Sequence, residues 1–399
     1  MVYSQTGIPG SLMGYLIAIP MQLTRLPESP WILLNILSFF AIGLAAIQLT
    51  RSIPSLPRFW ILCWLLFCPW SLEYSTHMLN TDYLAVGSFV FFAAFWELEP
   101  RYRSGLLSRR MAAFLMGAAL LWSFQFHLSW FLLLPFIGWA ALINRREKDR
   151  WSLLGFFAGG SMLLALFLLP LILEFGPSSL FLSFKSNVKS VFSFPKFFVN
   201  IPKILLRLLS FSSFELGRFL GIHHRVSTVL KYPWAVPGIV LGGVLGVLQV
   251  LFMIRAMILS PRGAGTLKIT RKVIWAIFIG LIFLFCFSRK GPSSHTFWIL
   301  SPWVFRFFFE ALDEAIQRFS LSKKFLAGIQ WSFLFAMLSF SLMLSLHRYP
   351  RVSVVRHREK VLQALDEKDY GLIGCRLDDL ANWRGPLSGR SFVSPLCKK

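Results

Sequence analysis

The stretch Leu72-Glu73-Tyr74-Ser75-Thr76-His77-Met78-Leu79-Asn80-Thr81-Asp82-Tyr83 is a polar island between two apolar runs, Phe59 to Trp70 and Tyr83 to Trp96. Ionisable groups at the rim of a hydrocarbon layer are costly to keep and mark functional sites by default. Glu73 and Asp82 are carboxylates able to orient or deprotonate an acceptor hydroxyl, with His77 and Asn80 beside them to hold a polar substrate. Asp82 also opens an apolar helix, where the dipole stabilises a carboxylate, so a plain helix cap is the competing reading.

Further groups reach the same rim. His127 lies in Gln125-Phe126-His127, between two apolar segments, and reads either as a turn residue or as a substrate ligand. Arg289, Lys290 and His295 fall within eight residues and form a cationic corner suited to phosphate, although interfacial anchoring explains it as well. The long connection 175–232 carries Lys185, Lys189, Lys196, Lys203, Arg207, Arg218, Arg225 and Lys231 against Glu215. A helix starting at Asn200-Ile201-Pro202 is expected, because Asn caps well and Pro fits the first turn. It places Lys203 and Arg207 on one face and Leu205, Leu208 and Leu209 on the other. Such a helix either lies on anionic headgroups or acts as a lid whose cations hold a phosphate. The pair His223-His224 does not by itself make a metal site, and a divalent metal is left open.

Long apolar elements must hold these groups. The 399 residues are 56% hydrophobic and 16% aromatic, which excludes an ordinary soluble domain. Apolar runs at 31–50, 58–72, 82–97, 111–125, 127–144, 151–174, 233–255, 272–288, 294–310 and 325–346 each approach the length of a membrane span. The segment 8–24 carries Pro9, Gly10, Gly14 and Pro20 and reads as a re-entrant or interfacial helix, or else as one more span. The expectation is an all-α polytopic membrane helical bundle of about 10–11 spans. Residues 1–346 form the membrane domain, with a long extracytoplasmic loop 175–232, and 347–399 form a small polar extracytoplasmic tail. Gly238, Gly242 and Gly246, at four-residue spacing, suit close helix packing. Cys63, Cys68 and Cys286 lie in apolar runs and read as small core residues; Cys375 and Cys397 are free to pair if the tail is extracytoplasmic. The start, MVYSQTGIPGS, has neither the basic region nor the small-residue site of a cleavable signal.

Charge sets the orientation. The net charge is +23, yet no nucleic-acid module is visible, so membrane lipids and anionic substrates are the expected partners. Arg51, Arg58, Arg101, Arg103, Arg109, Arg110, Arg145, Arg146, Lys148, Arg150, Arg255, Arg262, Lys268, Arg271, Lys272, Arg306, Arg318, Lys323 and Lys324 fall on alternate connections. By the positive-inside rule these are cytoplasmic, and the polar island, His127, His295 and the segment 175–232 are extracytoplasmic.

The order Gly10-Ser11-Leu12-Met13-Gly14-Tyr15-Leu16-Ile17-Ala18-Ile19-Pro20, a span ending in Thr50-Arg51, then Pro69 to Asp82 and a new span, resembles multi-pass glycosyltransferases of the GT-C fold. The similarity is to their protein mannosyltransferase and aminoarabinose transferase branch (glycosyltransferase 39-like), and extends over residues 7–310. Asp82 matches an Asp that opens a later span, and His295-Thr296-Phe297-Trp298-Ile299-Leu300-Ser301-Pro302 resembles a late segment of the branch. The resemblance implies transfer of a sugar from a polyprenyl-phosphate donor to a lipid or protein acceptor at the extracytoplasmic face of a bacterial inner membrane. Asp82 and Glu73 would then be catalytic, and His77, Asn80, His127, Lys203, Arg207, Arg289, Lys290 and His295 would bind substrate. The sequence departs from the family at its start, where a first span and an acidic loop are expected and Glu28 is the only acid; a truncated or inactive relative is therefore one expectation. An O-antigen ligase or polymerase-like protein, and a non-catalytic carrier or flippase of lipid-linked sugars, are the alternatives.

Overall fold

The computed structural model describes residues 12–24, 26, 28–53, 55–68, 71, 81–181, 192–210, 229–259, 265–288, 291–292 and 294–348. Glu73, His77, Asn80, Arg289, Lys290, His223, His224, both tail cysteines and all of 349–399 lie outside them; for Glu174, His295 and His347 only the backbone is described.

Among the described residues the chain is an all-α polytopic bundle without strands. Its helices are α1 (Leu12–Thr24), α2 (Ser29–Ser52), α3 (Arg58–Phe67), α4 (Leu84–Leu98), α5 (Arg109–Phe126), α6 (Leu134–Asn144), α7 (Arg150–Ala165), α8 (Leu169–Phe175), α9 (Phe194–Leu209), α10 (Val236–Ile258), α11 (Thr266–Phe287), α12 (Ser294–Trp298), α13 (Ser301–Phe319) and α14 (Lys323–Arg348). Stretches Ser29–Ser52, Arg150–Leu173, Pro233–Ile258, Thr266–Phe287 and Lys323–Met343 are long and apolar enough to cross a membrane.

The core is built around α4. Its run LAVGSFVFFAAFWEL is apolar on every side, and nearly all its residues are buried, as expected for a helix enclosed by others. α2, α5, α6 and α13 surround it. Trp303 of α13 is the hub of an aromatic cluster: its ring lies 5.3–6.4 Å from those of Phe92, Phe95, Trp96, Tyr102, Phe136 and Trp139. Such edge and tilted contacts contribute beyond the area they bury.

Small residues set the closest crossings. Gly117 of α5 and Gly160 of α7 press against the carbonyls of Phe157 and Phe114, so a Cβ at either would collide with backbone. Gly238, Gly242 and Gly246 are all buried, and Gly238 faces Ser339 of α14, as their spacing predicts. Cys63, Cys68 and Cys286 are buried thiols.

The loops expected to carry the cytoplasmic cations meet at one end of the bundle. Ser52 donates to the Tyr102 carbonyl at 3.4 Å, and the Tyr102 hydroxyl lies 3.0 Å from that of Thr270 at the start of α11. Arg109 reaches Asn144 at 2.7 Å, Ser55 bonds Asp313, and Arg271 caps α10 through the Leu259 carbonyl at 2.6 Å. Two expectations are corrected. The run 294–310 is not one helix but α12 and α13, broken at 299–300, with Pro302 starting the second. Arg306, read from its charge as a loop cation, is buried in α13 at 1% exposure.

Candidate functional site

The opposite end of the bundle collects most of the expected site residues that are described. Asp82 stands in the turn leading into α4, with only 1% of its surface exposed. The next residue, Tyr83, stacks on Phe126 at 4.8 Å, and its carbonyl accepts from the Trp122 indole at 2.7 Å. These contacts bring the end of α5, and with it His127, beside the head of α4. A buried carboxylate persists only where charge or hydrogen bonds compensate it, so its environment is built rather than incidental.

His127 breaks the helix with an extended backbone, and its Nδ1 accepts from the Ser129 amide at 3.1 Å. One ring nitrogen therefore caps the 3₁₀ turn Leu128–Leu133. The structural reading of His127 accounts for that nitrogen.

The α12 segment packs against α4. Ser88 of α4 donates to the Ile299 carbonyl at 2.7 Å, and Phe89 packs edge-on to Trp298 at 6.0 Å. His295 belongs to this short helix. The bond from Ser88 fixes α12 roughly two turns along the helix that Asp82 introduces, about 9 Å by helical rise.

Cations come from α9. This helix starts at Phe194 with Pro195 in its first turn, not at Asn200 as expected; Asn200 is buried and Pro202 lies inside the helix. The sequence signal was genuine for a first-turn Pro, but Pro195 is the residue that uses it. Ile204, Leu208 and Leu209 are buried as one face. Lys196 donates to the Ser288 carbonyl at 2.6 Å, and Arg207 bonds the carbonyl of Pro292, two residues before α12. The Leu209 carbonyl accepts from Gln249 of α10 at 3.0 Å. α9 is thus docked onto the bundle. Lys203 is exposed one turn before Arg207. Among the described residues no group of His, Cys, Asp and Glu could hold a metal ion.

A second polar cluster, absent from the sequence reading, lies toward the other end. Arg306 Nε donates to Glu310 at 2.9 Å, and its guanidinium is held between the rings of Tyr102 (4.0 Å) and Trp96 (4.9 Å). Among the described residues, Arg306 Nη1 and Glu310 Oε2 find no hydrogen-bond partner. Nearby Glu97 grips the loop after α4, accepting from Ser104, from the Gly105 and Leu106 amides at 3.0 Å, and from Gln48 at 3.4 Å. Gly105 has φ of 73°, which a residue without Cβ adopts without strain. The sequence signal for the ion pair was opposite charges four residues apart in an otherwise apolar run.

Comparison with family models, curated proteins and solved structures finds no match for this chain.

Proposed function

We propose that the chain is a membrane glycosyltransferase that moves a sugar from a polyprenyl-phosphate donor to an acceptor at the Asp82 end of the bundle. The observation that carries this reading is the nearly complete burial of Asp82 at the head of the central helix, on the end where α9 docks with its cations. In this reaction the acceptor hydroxyl oxygen attacks the anomeric carbon and the bond from that carbon to the phosphate oxygen breaks. The phosphate leaves with the bonding electron pair. Asp82 takes the hydroxyl proton, and Lys203 and Arg207 stabilise the charge growing on the leaving phosphate. His127 stands beside the head of α4 as a substrate-binding candidate, and the extracytoplasmic face of an inner membrane is the setting that the charge distribution favours.

The test is transfer of radiolabel from a polyprenyl-phosphate sugar in membranes carrying the protein. Transfer that is lost in Asp82→Asn supports the proposal. Silence of the correctly inserted unaltered chain with several such donors overturns it.

A further inference from the structure

At the junction of α10, α13 and α14, four cations gather, none of them in an ion pair among the described residues. The guanidiniums of Arg255 (α10) and Arg318 (α13) approach the same ring, that of Phe319, at 5.9 and 5.2 Å. Lys323 and Lys324 follow within a few residues, in the first turn of α14, where the helix dipole disfavours positive charge. Among the described residues, none of these cations has a carboxylate within ion-pair distance, whereas Arg101 and Arg109 at the same end of the bundle are paired. Of the neighbouring acids on the last turns of α13, Asp313 is engaged with Ser55 and Gln317, and Glu314 is engaged elsewhere. Like charges gathered on one surface favour an anion among them.

The surroundings indicate which anion. Ile258, Leu259, Phe319 and Phe325 are exposed beside the cations, and exposed Val244, Val247, Leu248 and Leu251 continue the apolar surface along α10. A ligand that fits both parts has an anionic phosphate head and hydrocarbon chains.

We propose that Arg255, Arg318, Lys323 and Lys324 form a binding site for the phosphate of an anionic phospholipid, whose acyl chains lie along α10. The site is independent of the transfer reading, because it stands at the other end of the bundle and uses none of the same residues. Phosphate diesters bridging guanidinium and ammonium groups form charge-assisted hydrogen bonds, and anionic leaflets attract such basic clusters.

The experiment uses the full chain purified in detergent and measures the thermal unfolding midpoint with added phosphatidylglycerol, phosphatidylcholine or soluble glycerol phosphate. Phosphatidylglycerol is expected to raise the midpoint well above the effect of phosphatidylcholine. Arg255→Gln with Arg318→Gln should remove more than half of that rise, and Lys323→Gln with Lys324→Gln should do likewise. Arg103→Gln with Arg146→Gln, the same charge change at the same end, should leave it intact. Equal loss in this control, or a full rise in both site variants, overturns the site. An equal rise with glycerol phosphate overturns the lipid as its ligand.

Discussion

Asp82 and Arg306 are charged side chains buried to 1% exposure, as Glu97 and Glu99 are. For Asp82, the carboxylate's role separates from its helix-capping role by substitution. Asp82→Asn keeps the shape and a polar oxygen, so the bundle should insert and fold as before while radiolabel transfer falls to background. Unchanged transfer would return Asp82 to a cap. For Arg306 the argument is energetic. Removing one member of a buried ion pair leaves the other uncompensated, at a cost of roughly 3–5 kcal/mol, whereas replacing both with apolar groups of similar volume is far milder. Arg306→Ala should therefore unfold at markedly lower temperature than the double variant Arg306→Met with Glu310→Met, as read by thermal melts in detergent. A double variant as unstable as the single one would show that the contacts with Tyr102 and Trp96, not the charges, carry the stability.

At the scale of elements, α9 and the α5–α7 crossing give separable outcomes. Arg207 holds the backbone before α12, while Lys203 is exposed and has no partner among the described residues. Lys203→Ala should weaken use of the lipid-phosphate donor, raising its KM with the acceptor KM unchanged and the melting temperature intact. Arg207→Ala should lower both donor use and thermal stability. An equal effect of Lys203→Ala on donor and acceptor would remove its phosphate role. At the crossing, Gly117→Ala and Gly160→Ala push a methyl into backbone carbonyls and should each destabilise by about 1–3 kcal/mol. Gly155 and Gly159, on the same helix as Gly160 but open to their surroundings, should accept Ala with little change, which chemical denaturation or thermal melts would check.

For the whole molecule, the hydrogen bonds among the loops join the cation-bearing connections into one end and leave Asp82, α12 and the cations of α9 at the other. Single cysteines introduced at Arg103 and at Lys203, in a background with the native cysteines replaced by Ser, should react with a membrane-impermeant thiol reagent from opposite sides of the membrane. Labelling of both from one side would overturn the assignment of the two ends to two membrane faces.

The sequence by itself determined the class of the protein and most of its helices. Continuous apolar runs of span length, without the alternation of barrel strands, select helix in a hydrocarbon layer, and the expected runs 31–50 and 325–346 fall within α2 and α14, while 233–255 begins three residues before α10. It also singled out Asp82, because a carboxylate beside an apolar run is conspicuous in one dimension. What it could not decide depends on contacts between distant segments. Whether Pro195 or Pro202 starts α9 rests on which face docks against α11. Whether Arg306 is a loop cation or a core residue rests on Trp96 and Tyr102, some 200 residues earlier, closing over it. The break between α12 and α13 is held by Ser88 of α4. Local pattern fixes whether a segment is helical, while burial and pairing of its polar groups are set by neighbours that only the packed bundle supplies.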